Sequence, residues 1–395
     1  MNTEQLAAPE PAARITALRD LVAAKPAPAP AGINVHVHTN YSFACFRSPA
    51  EAVWLARQAG VEIFGINDHY TIDGHPEFRQ AVEAAKLPAV FSVEIVAVDR
   101  AAAEEGALLN DPGNPGRVYL CGKAVTTPGN AEAAATLATL REHQERRNRA
   151  MIEVIDQHFQ TTAQAAGPSW ASVAEQTPLG NTTERHIALA SCERIAAIAA
   201  ERGVDAASVF ERVCGQAPQG DHAAQQNQLR SCLLKAGKAC YVDEDPAAYP
   251  SVEAVRELFL QLGAIPTYPV LGNPLTTGEE QISALCDRLA NWGIYAMELI
   301  SSRNTAERVA EVVAEAEARN WPVFDGTEHN TAAMVPLINE LGADARFLPR
   351  LREGATALLG HQALVAAGKP GYVDRTGALV DGGYAACVAA GQALL

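Results

Sequence analysis

Residues 33–69, INVHVHTNYSFACFRSPAEAVWLARQAGVEIFGINDH, decide the reading of the fold. INVHVH is a short apolar strand. SPAEAVWLARQAG is a helix with Ser48 as its N-cap, Pro49 in the first turn and Gly60 at its end. VEIFGINDH is a second strand. Outward from this unit the alternation continues with GHPEFRQAVEAAK as a helix and AVFSVEIVAV as a third strand. Strand–helix–strand alternation predicts a parallel α/β sheet or barrel. It pauses at DRAAAEEGALLNDPGNPGRVY, which reads as a loop, and then at a largely helical region rich in Ala, Arg, Glu and Gln. It resumes with SVEAVRELFLQLGA, IPTYPV, EQISALCDRLANWG, IYAMELI, AERVAEVVAEAEARN and WPVFDG, read alternately as helix and strand.

Three segments follow from this pattern. Residues 1–32 are an N-terminal helix and a stiff Pro/Ala linker, KPAPAPAG. Residues 33–331 are the α/β core, with a helical insertion over about 130–262. Residues 332–395 are a C-terminal extension of mixed character. At 395 residues the chain is long enough for one large barrel with insertions, and 48% hydrophobic residues exclude a disordered chain. No apolar run reaches the roughly 18 residues of a membrane span, and the N-terminus lacks the pattern of a secretory signal. A soluble, cytoplasmic protein is expected. The formal charge of -15 argues against nucleic acid as a partner, but a local cluster of Arg can still receive a small anion. The eight Cys are scattered without a C-x-x-C pair, so they are read as reduced thiols.

Four signals share one position, the C-terminal end of a predicted strand, where catalytic groups gather in parallel α/β folds. His36 and His38 are two residues apart on a strand, so both imidazoles face one way and suit a metal ion. Asp68 and His69 end the next strand, and such a carboxylate–imidazole pair can ligate, orient or move a proton. Glu94 lies within apolar FSVEIVAV, where a carboxylate is costly unless it is paired or bound to a cation. DGTEHN (325–330) again offers carboxylate and imidazole after a strand. Each signal alone has a bland alternative, a surface histidine or a helix-capping Asp. Together they predict a site for one or two divalent metals.

In this order the motifs resemble the polymerase and histidinol phosphatase (PHP) superfamily of metal-dependent phosphoesterases. The likeness runs through NVHVHTNYS, GINDHYT, SVEI, the Arg-rich QERRNRAMIEVI, ERHIALA, MELISSR and GTEHN, from about residue 33 to 331. It is nearest to stand-alone small-molecule phosphoesterases with a helical insert. The resemblance implies a distorted (β/α)7 barrel with its metals at the C-terminal mouth. It implies His36, His38, Glu94 and Glu328 around a first metal, with His69 and His329 on a neighbouring one. The metals would be one or two ions of Mn, Zn or Fe that activate a water. It makes Arg185, Arg303 and Arg149 candidates for binding an anionic substrate, and Asp68 and His186 candidates for handling protons. Departures stand at Phe43, Tyr119 and Tyr268, where the family carries further ligands. In the closing turn either His329 follows its carboxylate directly, or Asn330 takes the histidine's place. The expected function is hydrolysis of a small anionic metabolite, most simply a phosphoester. A non-phosphate substrate (lactone, amide or carboxylated sugar) and a non-catalytic metal-binding relative are the alternatives. Self-association into a homo-oligomer is left open.

Overall fold

A computed structural model describes residues 3–177, 181–243, 248–272 and 274–395. The strands form where the Val/Ile-rich runs stand: β1 (Gly32–Val37), β2 (Val61–His69), β3 (Ala89–Val98), β4 (Arg117–Lys123), β5 (Ile265–Val270), β6 (Met297–Leu299) and β7 (Val323–Asp325). The helices are α1 (Pro11–Ala24), α2 (Pro49–Ala59), α3 (His75–Ala85), α4 (Arg100–Glu104), α5 (Ala131–Thr162), α6 (Trp170–Ala174), α7 (Glu184–Arg202), α8 (Ala206–Cys214), α9 (His222–Leu229), α10 (Val252–Gln261), α11 (Ile282–Asn291), α12 (Ala306–Ala318), α13 (Leu348–Ala366) and α14 (Gly383–Gln392). Local signals act where expected. The Ser48 hydroxyl accepts from the Glu51 amide, and Gly60 ends α2 in the left-handed region at φ 78°.

The seven strands lie in sequence order in one sheet. β1–β2–β3 and β5–β6–β7 are parallel, while β4 runs antiparallel to both its neighbours. This is a distorted (β/α)7 barrel, as the resemblance implied, with one reversed strand. β7 and β1 form no ladder. They meet at a single bridge between Val37 and Glu328, supported by the Glu328 amide donating to the His36 carbonyl and the His38 amide donating to that of Glu328. Gly326 permits this approach, since a Cβ there would stand 2.3 Å from the His36 Cβ.

The segments differ in detail from the sequence reading. The stretch read as a loop through Tyr119 turns into β4 at Arg117. Its short run of alternation was hidden behind a Gly/Pro cluster. The N-terminal arm is docked on the barrel: Leu6, Ile15 and Leu18 join the main core, and buried Arg14 grips Glu77 of α3. The insertion has a separate core built from α5, α7 and α8, including Ile155, Phe159, Ile187, Ile198 and Phe210. The first turns of α5, with Ala133 and Leu137, pack on the barrel, as does α10. Residues 178–180 and 244–247 of that reading lie outside the described residues.

The C-terminal extension is a structural part of the barrel. α13 crosses the end opposite the mouth. Gln362 bonds the backbone of Ala89 and Phe91 at the start of β3, Arg352 pairs with Glu62 at the start of β2, and Gly354 lies against the Val323 carbonyl at the start of β7. All eight cysteines are free. Among the described residues no helix is long and apolar enough to cross a membrane.

Candidate metal centre and anion pocket

Strand register brings the four sequence signals to one level. His69 on β2 pairs with Glu94 on β3, and Glu94 pairs with Cys121 on β4. The Glu94 Oε2 atom is the centre of the cluster. It lies 3.2 Å from His38 Nε2, 3.3 Å from His69 Nδ1 and 3.6 Å from His36 Nε2. His36 Nε2 is 3.3 Å from His38 Nε2 and 3.9 Å from Glu328 Oε1. Glu94 is 1% exposed, and its Oε2, like His69 Nδ1, has no hydrogen-bond partner. A buried carboxylate oxygen facing three imidazole nitrogens without a hydrogen bond is costly as it stands. A divalent cation among these donors removes that cost, and the hard and borderline O/N set suits Mn, Zn or Fe. The residues therefore fit the metal that the resemblance implies.

The rings are held by neighbours. His36 Nδ1 meets Glu298 Oε2 at 2.7 Å, and Asn67 Nδ2 is 2.8 Å from His36 Nε2. His38 Nδ1 meets the Ser42 hydroxyl, which donates to Asp68. Burial lowers the affinity of His36 for a proton, but Glu298 outweighs it and lifts the ring to about 9. Burial, reinforced by the nearby His69, pushes His38 down to about 3. In the absence of metal the cluster therefore charges at His36 before His38.

Several predicted site residues stand elsewhere. The Asp68 carboxylate accepts from the Thr39 amide (2.7 Å), the Thr39 hydroxyl (2.6 Å) and Ser42 (2.6 Å), so it ties down the loop after β1 and stands behind His38. His329 is turned away from the cluster: its ring stacks on Phe46, with Nδ1 on Thr327 and Nε2 on the Val335 carbonyl. The cause is the closing turn, where Glu328 (φ 68°) and His329 (φ 50°) are both left-handed. That conformation costs roughly 1–2 kcal/mol per non-Gly residue. It swings Glu328 back over β1 and sends the next side chain outward. Asn330 comes back instead, its amide donating to Glu328 and its carbonyl accepting from Arg185.

The insert and the turn after β6 supply cations. Arg185 at the start of α7 contacts Asn227 and Asn330, and Arg303 lies 3.5 Å from Glu328. Arg147, Arg230 and Lys235 all converge on Glu184. Burial and then the like charge of Arg230 push the Arg185 guanidinium down to about 9, with Arg303 adding to the repulsion. It stays charged at neutral pH, with the guanidinium groups of Arg230 and Arg303 as like-charged neighbours. Arg149 is not part of it. It is half exposed, paired with Glu145 one turn back and stacked on Trp170 at 3.9 Å. His186 is buried against Phe43 and caps α7, its Nδ1 accepting from the Thr183 amide, and burial lowers it to about 3.

Of the departures, Tyr268 points away from the cluster and donates to Glu279 at 2.9 Å, whereas Tyr119 sits 6.4 Å from the His69 ring. Asn67, Cys121 and Lys123 were missed in the sequence. The signal that could have found the last two is the alternation Tyr119–Cys121–Lys123, which turns one face of β4 into the barrel.

The fold and the cluster together define an α/β barrel with a buried histidine–carboxylate cluster that could hold a metal ion. Residues 34–204 match the PHP domain family. That stretch, somewhat under half of the chain, is similar to the PHP domain of the polymerase and histidinol phosphatase superfamily, the family the motifs resemble. The sequence matches no curated protein at a significant level. Two solved structures share the fold. One is a candidate metal-dependent phosphoesterase from Bifidobacterium adolescentis, 20% identical, with TM-score 0.53, covering 79% of this chain and 92% of that one. The other is an amidohydrolase from Chromobacterium violaceum holding sulfate, 17% identical, with TM-score 0.50, covering 79% of this chain and 96% of that one.

Proposed function

We propose that this chain is a metal-dependent hydrolase that cleaves a phosphoester of a small anionic metabolite. The observation that carries this reading is adjacency. A buried His/Glu cluster opens on guanidinium groups, linked to it by Arg185–Asn330–Glu328 and by Arg303–Glu328. In this reading His36, His38, His69, Glu94 and Glu328 hold one or two divalent ions. Such an ion supplies Lewis acidity to the phosphoryl oxygen and to water.

The chain's own residues do the rest. Arg185 and Arg303 clamp non-bridging oxygens, for which a planar guanidinium is suited. Asp68 and Ser42 fix the orientation of His38. His186, as a capping ring against Phe43, shapes the wall of the pocket. The sulfate on the Chromobacterium violaceum neighbour, and the phosphoesterase name of the Bifidobacterium adolescentis one, agree with an anionic substrate.

The test is phosphate release from a panel of small phosphoesters by protein loaded with Mn, Zn or Fe. Activity that disappears on chelation and returns with metal supports the reading. Metal-loaded protein that is inert on phosphoesters yet cleaves carboxylate esters or amides overturns the phosphoester assignment and leaves the hydrolase.

A further inference from the structure

Among the described residues, two overlapping groups of ligand atoms lie inside this barrel, and they share His36. One is His36, His38 and Glu94, at the mouth. The other is His36, Cys121 and Glu298. In each, the donor atoms stand within 4.8 Å of one another and all three residues are buried. A soft thiolate beside an imidazole and a carboxylate is a good zinc or cobalt site. Nothing in the ligand sets alone keeps a cation at the mouth.

Lys123 breaks the tie. It projects from β4 and is fully buried, with its ammonium 2.7 Å from Glu298 Oε1. It also donates to the Val35 carbonyl on β1 at 3.1 Å and lies 5.9 Å from the Phe324 ring on β7. A lysine costs several kcal/mol to bury unless it is paired, so its position is bound to that of Glu298. The other oxygen of Glu298 then faces His36 Nδ1 at 2.7 Å. Glu298 is thus spent on an ammonium and an imidazole, and a second cation beside it would meet the charge of Lys123 at close range. With Nδ1 on Glu298, His36 is left to present Nε2 towards His38 and Glu94.

We propose that Lys123 is a positioning residue which, through Glu298, directs the divalent ion to the His36/His38/Glu94 cluster and keeps it out of the His36/Cys121/Glu298 cluster. This inference rests on the metal-centre reading above and adds the choice between two sites.

The experiment loads the metal-free full chain with cobalt(II), whose thiolate charge-transfer band in the near ultraviolet reports a sulfur ligand. Wild type should take up cobalt without that band. Lys123→Met, close to lysine in volume, should gain the band, and Cys121→Ser in that background should remove it. The His36/His38/Glu94 cluster should also lose affinity in Lys123→Met by about 10–100-fold, the usual effect of losing a support behind a ligand. Lys123→Gln serves as a second variant if the Met protein does not fold. A thiolate band in wild type overturns the proposal, and that arm needs no variant. An unchanged cobalt spectrum and affinity in the Lys123 variants also overturn it while the metal centre stands. If wild type takes up no cobalt but the variant does with a thiolate band, the proposal is overturned, because Lys123 then directs no ion to the mouth cluster. Uptake by neither refutes both.

Discussion

Replacing Glu94 with Gln tests the centre of the site most directly. The change keeps size and shape and removes one charge from the atom that faces His36, His38 and His69 at 3.2–3.6 Å. Losing a support outside the coordination sphere costs roughly 10–100-fold in metal affinity, so losing a coordinating charge should cost at least the upper end of that range. The effect can be read as stability. A metal present at about 1,000 times its dissociation constant stabilises the native state by about 4.1 kcal/mol. After a hundredfold loss of affinity the same metal stands at about ten times the new constant and contributes about 1.4 kcal/mol. The missing 2.7 kcal/mol or so corresponds to a drop of about 3 °C in the metal-induced rise of Tm, at about 1.2 °C per kcal/mol for a chain of 395 residues. Differential scanning calorimetry of chelator-stripped protein, with and without manganese or zinc, measures it. Elemental analysis of the same samples gives the metal count. A Glu94→Gln protein with the wild-type metal-induced shift and metal content would refute the placement of the ion.

The anion pocket predicts a contrast between two arginines. Arg185→Met should raise KM for a phosphoester by about 10-fold or more, given that a charge-assisted hydrogen bond is worth about 1.5–3 kcal/mol, whereas Arg149→Met should change kinetics less than about 2-fold; equal effects in steady-state assays would undo the assignment. His361 predicts acid sensitivity. Its Nδ1 accepts from the Tyr372 amide while Nε2 meets the Gly263 carbonyl, so the ring must be neutral, and burial lowers it to about 4. The unfolded chain binds this proton more readily, so the stability is present above pH 6.5 and is lost as pH falls towards about 4. The loss is on the order of 3 kcal/mol. His361→Gln should flatten that part of the stability–pH curve in urea titrations, and an unchanged curve would contradict the assignment. Gly326→Ala should disrupt both the closure of the barrel and metal uptake, because its Cβ would stand 2.3 Å from that of His36; a protein with wild-type Tm and metal content would show that the turn can yield.

The metal-centre candidates were legible because strand period forces His36 and His38 onto one face and because a Glu amid FSVEIVAV needs a partner. The closing turn was legible only in part. Residue types cannot reveal that Glu328 and His329 are left-handed, which decides that one points in and the other out. The Arg-rich helix was visible as a group. Which of its arginines faces Glu184 depends on how α5 is rotated against α7, and it is Arg147 that does so.

Local chemistry along the chain thus dictated the alternation of strands and helices, the capping of α2 and the four strand-end signals, since these depend on neighbours a few residues apart. The reversed strand β4, the plug formed by α13 and the Lys123–Glu298–His36 chain were decided by tertiary structure alone. The Lys123–Glu298–His36 chain joins residues more than 80 positions apart, and only the packed barrel, with its low-polarity interior, makes an ammonium, a carboxylate and an imidazole depend on one another.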